Sequence, residues 1–181
     1  MESSKIKEKL EEQSYDCEED LALILSLSES LHKPILLEGP AGVGKTELAK
    51  AYAKAMERPL LRLQCYEGLD ERHALYEWNY QKQLLYLESQ KGSTWNTARE
   101  NLFSEEFLLP RPLLKAFLSE IPAVLLIDEI DKSDEEFESF LLEALADFSV
   151  TIPEWGTVTA KYPPMIFLTS NAMRDFSDGL K

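Results

Sequence analysis

The sequence predicts an α/β fold of three layers, in which helices cover both faces of a parallel core sheet. Short apolar segments alternate with longer helical segments along the 181 residues, as in parallel strands joined by crossover helices. The segment 123–127 is continuously apolar, which is typical of a strand buried on both faces of such a sheet. A glycine-rich loop at 39–46 joins a short apolar segment to an Ala-rich one, in the order strand, loop, helix.

The segments before the glycine-rich loop predict helices and one strand. Residues 1–17 are polar, and we interpret them as a polar leader or a peripheral helix. The domain itself is expected to cover 18–181. Within 18–30 one helical face is shared by Leu21, Ile24, Leu25 and Ser28. Pro34 ends that helix, because the residue before a proline avoids the helical conformation, and the strand 34–38 follows.

The segments after the loop predict a helix at 47–56 and a second strand at 59–64. An insert at 68–110 is rich in aromatic residues. Such rings could stack on nucleic-acid bases, but few Lys or Arg residues are interleaved with them, so packing into the core is favoured.

Strands and helices continue to alternate in the second half of the chain. A short helix at 113–119 precedes the apolar strand 123–127, and Ser133 is expected to cap a helix that runs to about position 146. Residues 149–162 predict a hairpin, since two alternating segments flank a turn. The segment 165–169 predicts a fourth core strand.

Residues 39–46 fit the pattern G-x-x-x-x-G-K-[ST] of the P-loop, or Walker A motif. Backbone N–H groups in this loop surround phosphates, and the helix that follows adds its partial positive charge. Lys45 would contact the β- and γ-phosphates of a nucleotide, and the Thr46 hydroxyl would bind Mg²⁺. A glycine-rich turn that only begins a helix is the alternative, but the flanking strand and helix favour a nucleotide site. The candidate nucleotide-binding residues are Gly39, Pro40, Ala41, Gly42, Val43, Gly44, Lys45, Thr46 and Glu47.

Two acidic residues directly follow the strand 123–127. We expect Asp128, on a strand beside the P-loop strand, to hold Mg²⁺ through a water molecule. We expect Glu129 to be the general base that polarises the water attacking the γ-phosphate. A solvated acidic loop is the alternative, because 128–134 carries four carboxylates. Acids at the end of a buried strand favour the catalytic interpretation.

Asn171 follows the strand 165–169 in a similar way. Its amide could orient the attacking water or contact the γ-phosphate, although an asparagine after a strand is also a common turn residue. Its position after the other two motifs favours a role in the site. The predicted catalytic residues are therefore Lys45, Glu129 and Asn171.

Composition limits the compartment and the partners. The 19 basic and 33 acidic residues give a net charge of −14, which argues against a broad basic face for nucleic acid. Cys17 and Cys65 have no metal-ligand spacing and form no disulfide framework, as expected in a reducing compartment. No signal peptide or membrane-spanning segment is predicted, so we expect a soluble cytoplasmic protein.

The three motifs together resemble those of AAA+ ATPases. They correspond to a Walker A motif at 39–46, a Walker B motif at 125–129 and a sensor 1 asparagine at Asn171. The connecting segments are similar to those of the MoxR family, in particular its CoxD-like branch. These segments are 68–80, 151–158 and 163–178.

The resemblance implies a P-loop NTPase fold and a ring-forming ATPase, commonly a homohexamer, that uses ATP and Mg²⁺ to remodel or activate a client protein. A von Willebrand factor A-domain protein is one such client, and CoxD-like members are associated with metalloenzyme maturation. The hairpin at 149–162 then matches the pre-sensor-1 hairpin. Trp155 at its turn is either a pore residue that contacts substrate or an ordinary hairpin aromatic.

Members of this family continue into further arginines, a fifth core strand and a C-terminal helical lid. The chain is therefore expected to be an N-terminal part of an AAA+ module that lacks the fifth strand and the lid. An arginine finger supplied in trans is worth about 10³–10⁵ in rate in comparable phosphoryl-transfer enzymes. Without it, we expect the chain alone to hydrolyse ATP very slowly.

Other functions stay open at the level of sequence. An ATP-gated interaction module would bind nucleotide with little hydrolysis. A nucleic-acid-linked AAA+ motor is disfavoured by the acidic charge balance. A GTPase is disfavoured because Thr169-Ser170-Asn171-Ala172, rather than Asn-Lys-x-Asp, stands after the candidate strand.

Overall fold

A computed structural model describes residues 2–89, 102–153 and 155–172 of the chain. Short 3-10 turns lie at Glu105–Phe107 and Ile130–Lys132. The helices and strands, in chain order, are α1 (Ser3–Glu12), α2 (Glu19–Leu31), β1 (Ile35–Glu38), α3 (Lys45–Ala55), β2 (Leu60–Gln64), α4 (Glu71–Leu75), β3 (Tyr76–Trp78), α5 (Tyr80–Ser89), β4 (Leu108–Pro110), α6 (Pro112–Phe117), β5 (Val124–Asp128), α7 (Glu135–Asp147), β6 (Ser149–Ile152), β7 (Gly156–Thr159) and β8 (Met165–Ser170).

Four parallel strands form the central sheet in the order β1-β8-β5-β2. The predicted α/β fold with a parallel core sheet is confirmed. The expectation that the strand ending at Asp128 lies beside the P-loop strand is wrong, because β8 is inserted between β1 and β5. Parallel strands are joined by long crossovers, so the lateral order of strands is independent of their order along the chain.

Both faces of this sheet are covered by helices, and β5 contributes to both hydrophobic cores. Val124 and Leu126 pack on one side, where α1, α2 and α3 lie. Leu125 and Ile127 pack on the other side, with residues of α6 and α7. All four side chains are fully buried, which explains why the segment is apolar without alternation.

Helix α1 packs its two apolar residues into the core on the α3 side. Ile6 and Leu10 are fully buried, and the helix contacts α2 and α3. In α2 the buried face consists of Ala22, Leu25 and Ser28. Ile24, which the sequence places on that face, is 50% exposed, because it lies about 100° around the helix from Leu25.

Most of the described aromatic residues of the insert pack against the core on the α7 side. Its strands β3 and β4 pair antiparallel, and the Trp78 and Phe103 rings meet edge to face with centroids 5.3 Å apart. The Tyr86 and Phe107 rings are 5.4 Å apart. Residues 90–101, including Trp95, lie outside the described residues. Five described rings of the insert, those of Tyr76, Trp78, Tyr86, Phe103 and Phe107, therefore serve packing, whereas Tyr80 is 59% exposed.

Helix α7 begins one residue later than expected. Asp134, and not Ser133, is its N-cap, because the Asp134 carboxylate accepts a hydrogen bond of 2.9 Å from the Phe137 backbone N–H. Ser133 instead donates from Oγ to the Ile130 carbonyl at 2.7 Å. Because the Ser133 hydroxyl is bonded within the 3-10 turn before the helix, the N-cap position moves to Asp134.

Strands β6 and β7 form the predicted antiparallel hairpin. Trp155 at its turn is partly buried against the core on the α7 side, a packing that favours an ordinary hairpin aromatic. Glu154 lies outside the described residues. Within the described ranges, no helix has the length and apolar character needed to cross a bilayer.

Candidate nucleotide-binding site

A cleft of about 320 Å³ opens at the carboxyl ends of the core strands, where the P-loop and the predicted acidic residues meet. In open parallel sheets this is the edge at which ligands bind. The residues that line the cleft are Ala41, Gly42, Gly44, Lys45, Thr46, Glu47, Arg62, Asp128, Glu129, Thr169 and Asn171.

The P-loop has the backbone conformation that its glycines allow. Gly42 and Gly44 adopt φ angles of +88° and +95°, which residues with a Cβ rarely adopt. Nothing lies within 4 Å of a Cβ built at either position, so the requirement for glycine is conformational and not steric. Gly44 precedes the first residue of α3, which directs the helix N-terminus into the cleft.

The Lys45 ammonium group lies across the loop. Its Nζ donates to the carbonyl oxygens of Gly39 at 2.6 Å and Pro40 at 2.8 Å. It also donates to Asn171 Oδ1 at 3.2 Å. Two of the predicted catalytic residues, from the P-loop and from the end of β8, are therefore in direct contact. Phosphate oxygens entering the cleft would compete with these neutral acceptors for the cation.

Asp128 is buried at the end of β5 and divides its two oxygens between different partners. Oδ1 accepts from the Thr46 hydroxyl at 3.2 Å and from the Thr169 hydroxyl. Oδ2 accepts from Arg62, at 3.0 Å from Nε and 2.5 Å from Nη2. Burial alone would raise the pKa of Asp128, but the Thr169 hydrogen bond and the Arg62 guanidinium outweigh it and lower this pKa. The carboxylate is therefore held ionised.

Glu129 follows Asp128 in the left-handed conformation, with φ of +57°. Its backbone N–H donates to Thr169 Oγ1 at 2.9 Å. Its carboxylate Oε2 accepts from Gln64 Nε2 at 2.9 Å and pairs with Lys132 Nζ at 2.6 Å. The predicted general base thus reaches the cleft but is engaged by two side chains at its rim.

Asn171 is fixed by its backbone as well as by Lys45. Its N–H donates to Asp131 Oδ1 at 3.2 Å. Asp131 is buried in the 3-10 turn that follows Glu129, so it connects the ends of β5 and β8. The Asn171 amide therefore faces the P-loop from a supported position.

The donor set fits Mg²⁺ held together with nucleotide phosphates. The Thr46 hydroxyl and the Asp128 carboxylate lie within hydrogen-bonding distance of each other, and both offer the oxygen ligands that Mg²⁺ prefers. In the part of the chain that the structure describes, no group of three or more His, Cys, Asp or Glu residues is arranged to hold a metal alone. Phosphate oxygens and water would complete the coordination, as is usual for this ion.

The structure brings most of the predicted site residues together, but not all of them face the cleft. Gly39 and Pro40 do not line the cleft, but their carbonyl oxygens accept hydrogen bonds from Lys45. Val43 is 58% exposed and does not line the cleft. The other predicted residues of the P-loop, with Asp128, Glu129 and Asn171, surround one space.

Four further residues contact the predicted acids, and sequence reasoning missed them. They are Arg62, Gln64, Lys132 and Thr169. A signal was present in β2, where Arg62 and Gln64 alternate with apolar residues at the end of an otherwise hydrophobic strand. That alternation places both polar side chains on one face of the sheet.

A model of the AAA domain, dynein-related subfamily, matches residues 34–178. The chain belongs to this AAA family. The matched range includes the P-loop, the acidic pair at 128–129 and Asn171. The cleft described above therefore lies within the AAA domain, where the predicted nucleotide-binding motifs meet.

Three further proteins are similar to this AAA chain. An uncharacterized protein of Staphylococcus saprophyticus is 32% identical over 135 residues, which is 74% of this chain and 44% of that protein. A crystal structure from Cytophaga hutchinsonii, described as a candidate ATPase, has a TM-score of 0.60 at 22% identity and covers 96% of this chain and 45% of its own. A mutant of Thermotoga maritima RuvB has a TM-score of 0.48 at 18% identity, over 99% and 43% of the two chains. The chain spans less than half the length of each of these proteins, and the Cytophaga structure supports its fold.

Proposed function

We propose that this AAA chain binds ATP with Mg²⁺ and is the nucleotide-binding part of an ATPase that remodels or activates a client protein. One observation carries the proposal. The P-loop cation Lys45, the buried carboxylate of Asp128 and the amide of Asn171 meet in one cleft at the N-terminus of α3. Phosphoryl transfer depends mainly on such positioning and charge.

The chain has groups that could bind a triphosphate and compensate its negative charge. The backbone N–H groups of the P-loop and the N-terminus of α3 would hold the α- and β-phosphates. Lys45 would exchange its carbonyl acceptors for phosphate oxygens. Thr46 and Asp128 would hold Mg²⁺, which neutralises charge on the phosphates when bound.

Glu129 is the proposed proton acceptor for hydrolysis. Its carboxylate reaches the cleft, but Gln64 and Lys132 engage Oε2. Both contacts fall on Oε2, so they restrain the orientation of the carboxylate, and Oε1 is the oxygen that would accept a proton from an attacking water. Asn171, supported from behind by Asp131, would orient that water.

We further propose that the whole protein is a MoxR-like ATPase of the CoxD-like branch, active as a homohexameric ring in the cytoplasm. The resemblance of the connecting segments supports this proposal. The client is a protein, with a von Willebrand factor A-domain protein as the first candidate, and metalloenzyme maturation is the proposed pathway. The acidic net charge of −14 supports a protein client over nucleic acid.

Binding is tested by isothermal titration calorimetry of ATP with Mg²⁺. Lys45→Ala should lower ATP affinity at least about 100-fold, because a charge-assisted contact to phosphate is lost. Lys54→Ala is a matched control, since Lys54 lies in the last turn of the same helix, is exposed and does not line the cleft. Equal affinity of the wild type and Lys45→Ala would remove the P-loop from the proposal.

Hydrolysis is tested by phosphate release from the wild type and Glu129→Gln. We expect slow release from the wild-type chain, a further decrease in Glu129→Gln and unchanged ATP binding in both. Binding without any Glu129-dependent release would instead support the ATP-gated interaction module. Salt-sensitive binding of DNA would favour the nucleic-acid motor.

A further inference from the structure

Among the residues that the structure describes, Arg62 is the cation in direct contact with the buried carboxylate of the cleft. It lies on β2, and its guanidinium contacts Asp128 Oδ2 through both Nε and Nη2. The Asp128 side chain is only 5% exposed, whereas that of Arg62 is 51% exposed. The arginine therefore covers the solvent side of an acid that the fold otherwise buries.

This contact divides Asp128 into two chemically different oxygens. Oδ2 is occupied by Arg62, while Oδ1 faces the hydroxyl groups of Thr46 and Thr169. Thr46 is the proposed magnesium ligand. The two guanidinium donors hold Oδ2 by charge-assisted hydrogen bonds, and with the threonine hydroxyls on Oδ1 they keep Oδ1 directed at the metal position.

The charges of the cleft give Arg62 a second effect. Asp128, Glu129 and Glu47 line the space in which a triphosphate would lie. Without a divalent metal, Asp128 would repel the phosphates, and the adjacent guanidinium offsets that repulsion. Once Mg²⁺ is bound, the metal supplies positive charge between Asp128 and the phosphates, so the contribution of Arg62 becomes smaller.

We propose that Arg62 is a positioning residue that directs Asp128 toward the metal position and serves as its counter-charge before Mg²⁺ binds. As a consequence, removing Mg²⁺ should lower ATP affinity less than it would if the acidic residues of the cleft had no counter-charge. This inference rests on the proposed function, because it assumes that the cleft binds ATP.

Arg62→Gln tests the inference, since glutamine can keep one hydrogen bond but carries no charge. We expect its ATP affinity in EDTA to fall about tenfold relative to the wild type. In saturating Mg²⁺ the same substitution should change ATP affinity less than about threefold. Arg62→Lys restores the charge and should keep the affinity in EDTA within about threefold of the wild type.

Arg111→Gln is the matched control. Arg111 is similarly half-exposed and pairs with the surface acid Glu77, outside the cleft, so this variant should bind ATP as the wild type does in both conditions. Thermal unfolding of each variant verifies that it is folded.

Equal losses of affinity in EDTA and in Mg²⁺ for Arg62→Gln would overturn the inference, because they indicate a direct phosphate contact or a general structural effect. Failure of Arg62→Lys to restore binding in EDTA would overturn it as well. If the wild type bound no ATP even with Mg²⁺, the proposed function itself would fail and the inference with it. If the wild type bound ATP but Arg62→Gln lost the same affinity in EDTA as in Mg²⁺, only the role of Arg62 would be overturned.

Discussion

Gln64 donates from Nε2 to Glu129 Oε2 at 2.9 Å, so the proposed general base is hydrogen bonded to an amide at the end of β2. The same glutamine accepts at Oε1 from Arg62 Nη2 at 2.6 Å. One side chain of β2 therefore links the environments of Glu129 and Asp128. The freedom of the Glu129 carboxylate to move within the cleft therefore depends on a side chain of β2.

Gln64→Ala is expected to increase basal ATP hydrolysis about fivefold. A hydrogen bond to a charged group contributes on the order of 1 kcal/mol or more, and its loss leaves Glu129 more often turned toward the cleft. ATP affinity should be unchanged. Phosphate release under saturating ATP measures the effect, and Gln81→Ala, at an exposed position of α5, is the control. An unchanged rate would indicate that Gln64 does not restrain Glu129.

Two substitutions at Asn171 are expected to separate binding from hydrolysis. Asn171→Ala should reduce hydrolysis about 10- to 100-fold while ATP affinity stays within about threefold, because the amide acts on the attacking water. Asn171→Asp should instead weaken ATP binding, since a carboxylate 3.2 Å from Lys45 Nζ would pair with that cation. Calorimetry and phosphate release distinguish the two effects, and identical behaviour of both variants would argue against this assignment.

Leu10→Ala is expected to lower the free energy of unfolding by about 2–4 kcal/mol, as for other buried leucines. Leu10 is fully buried between α1 and the core on the α3 side. Glu12→Ala, at an exposed position of the same helix, should change stability by less than about 0.5 kcal/mol. Urea unfolding followed by circular dichroism makes the comparison. Equal effects would mean that α1 is a detached leader.

Cys65 is expected to resist alkylation in the folded protein at pH 8. Burial, together with the negative charges of Asp128, Asp131 and Glu129, raises the pKa of its thiol to about 12, and the thiolate is the reactive form. Burial also raises the pKa of Cys17. Mass spectrometry after iodoacetamide treatment should find both thiols modified in urea only. Rapid modification of native Cys65 would show that the end of β2 opens readily.

Acid is expected to destabilise the wild type more steeply than Asp128→Asn. The folded-state pKa of Asp128 lies below its unfolded value, so its stabilising contribution is present above about pH 4 and is lost as the pH falls through the folded-state pKa. Asparagine cannot titrate. Urea unfolding between pH 6 and pH 3 should therefore show a smaller loss for the variant, and parallel curves would contradict the assignment.

The positions of the chemically important residues along the strands could be predicted from the sequence. Asp128 and Asn171 follow apolar segments that form β5 and β8, and the glycines at 42 and 44 predict the turn into α3. These features are local, because strand ends and left-handed turns depend on a few neighbouring residues. The three-layer architecture follows from the same alternation of segments.

The contacts of Arg62 and Gln64 could not be predicted in this way. They depend on the pairing of β2 with β5, in which Gln64 lies opposite Asp128. Strand order and register are set by packing between segments that are distant along the chain. The same limit explains why the position of β8 between β1 and β5 was not predicted.

The left-handed backbone of Glu129 has a consequence for the evolution of stability in this protein. Such a conformation costs a residue with a Cβ about 1–2 kcal/mol, so glycine would suit the backbone at 129 better than glutamate does. Glu129→Gly would relieve this backbone cost, but it would also remove the contacts of the carboxylate with Gln64 and Lys132, together with the proposed proton acceptor. The strained backbone at 129 is therefore kept together with a side chain that contacts its neighbours and is the proposed proton acceptor, so this strain cannot be relieved by glycine without losing both.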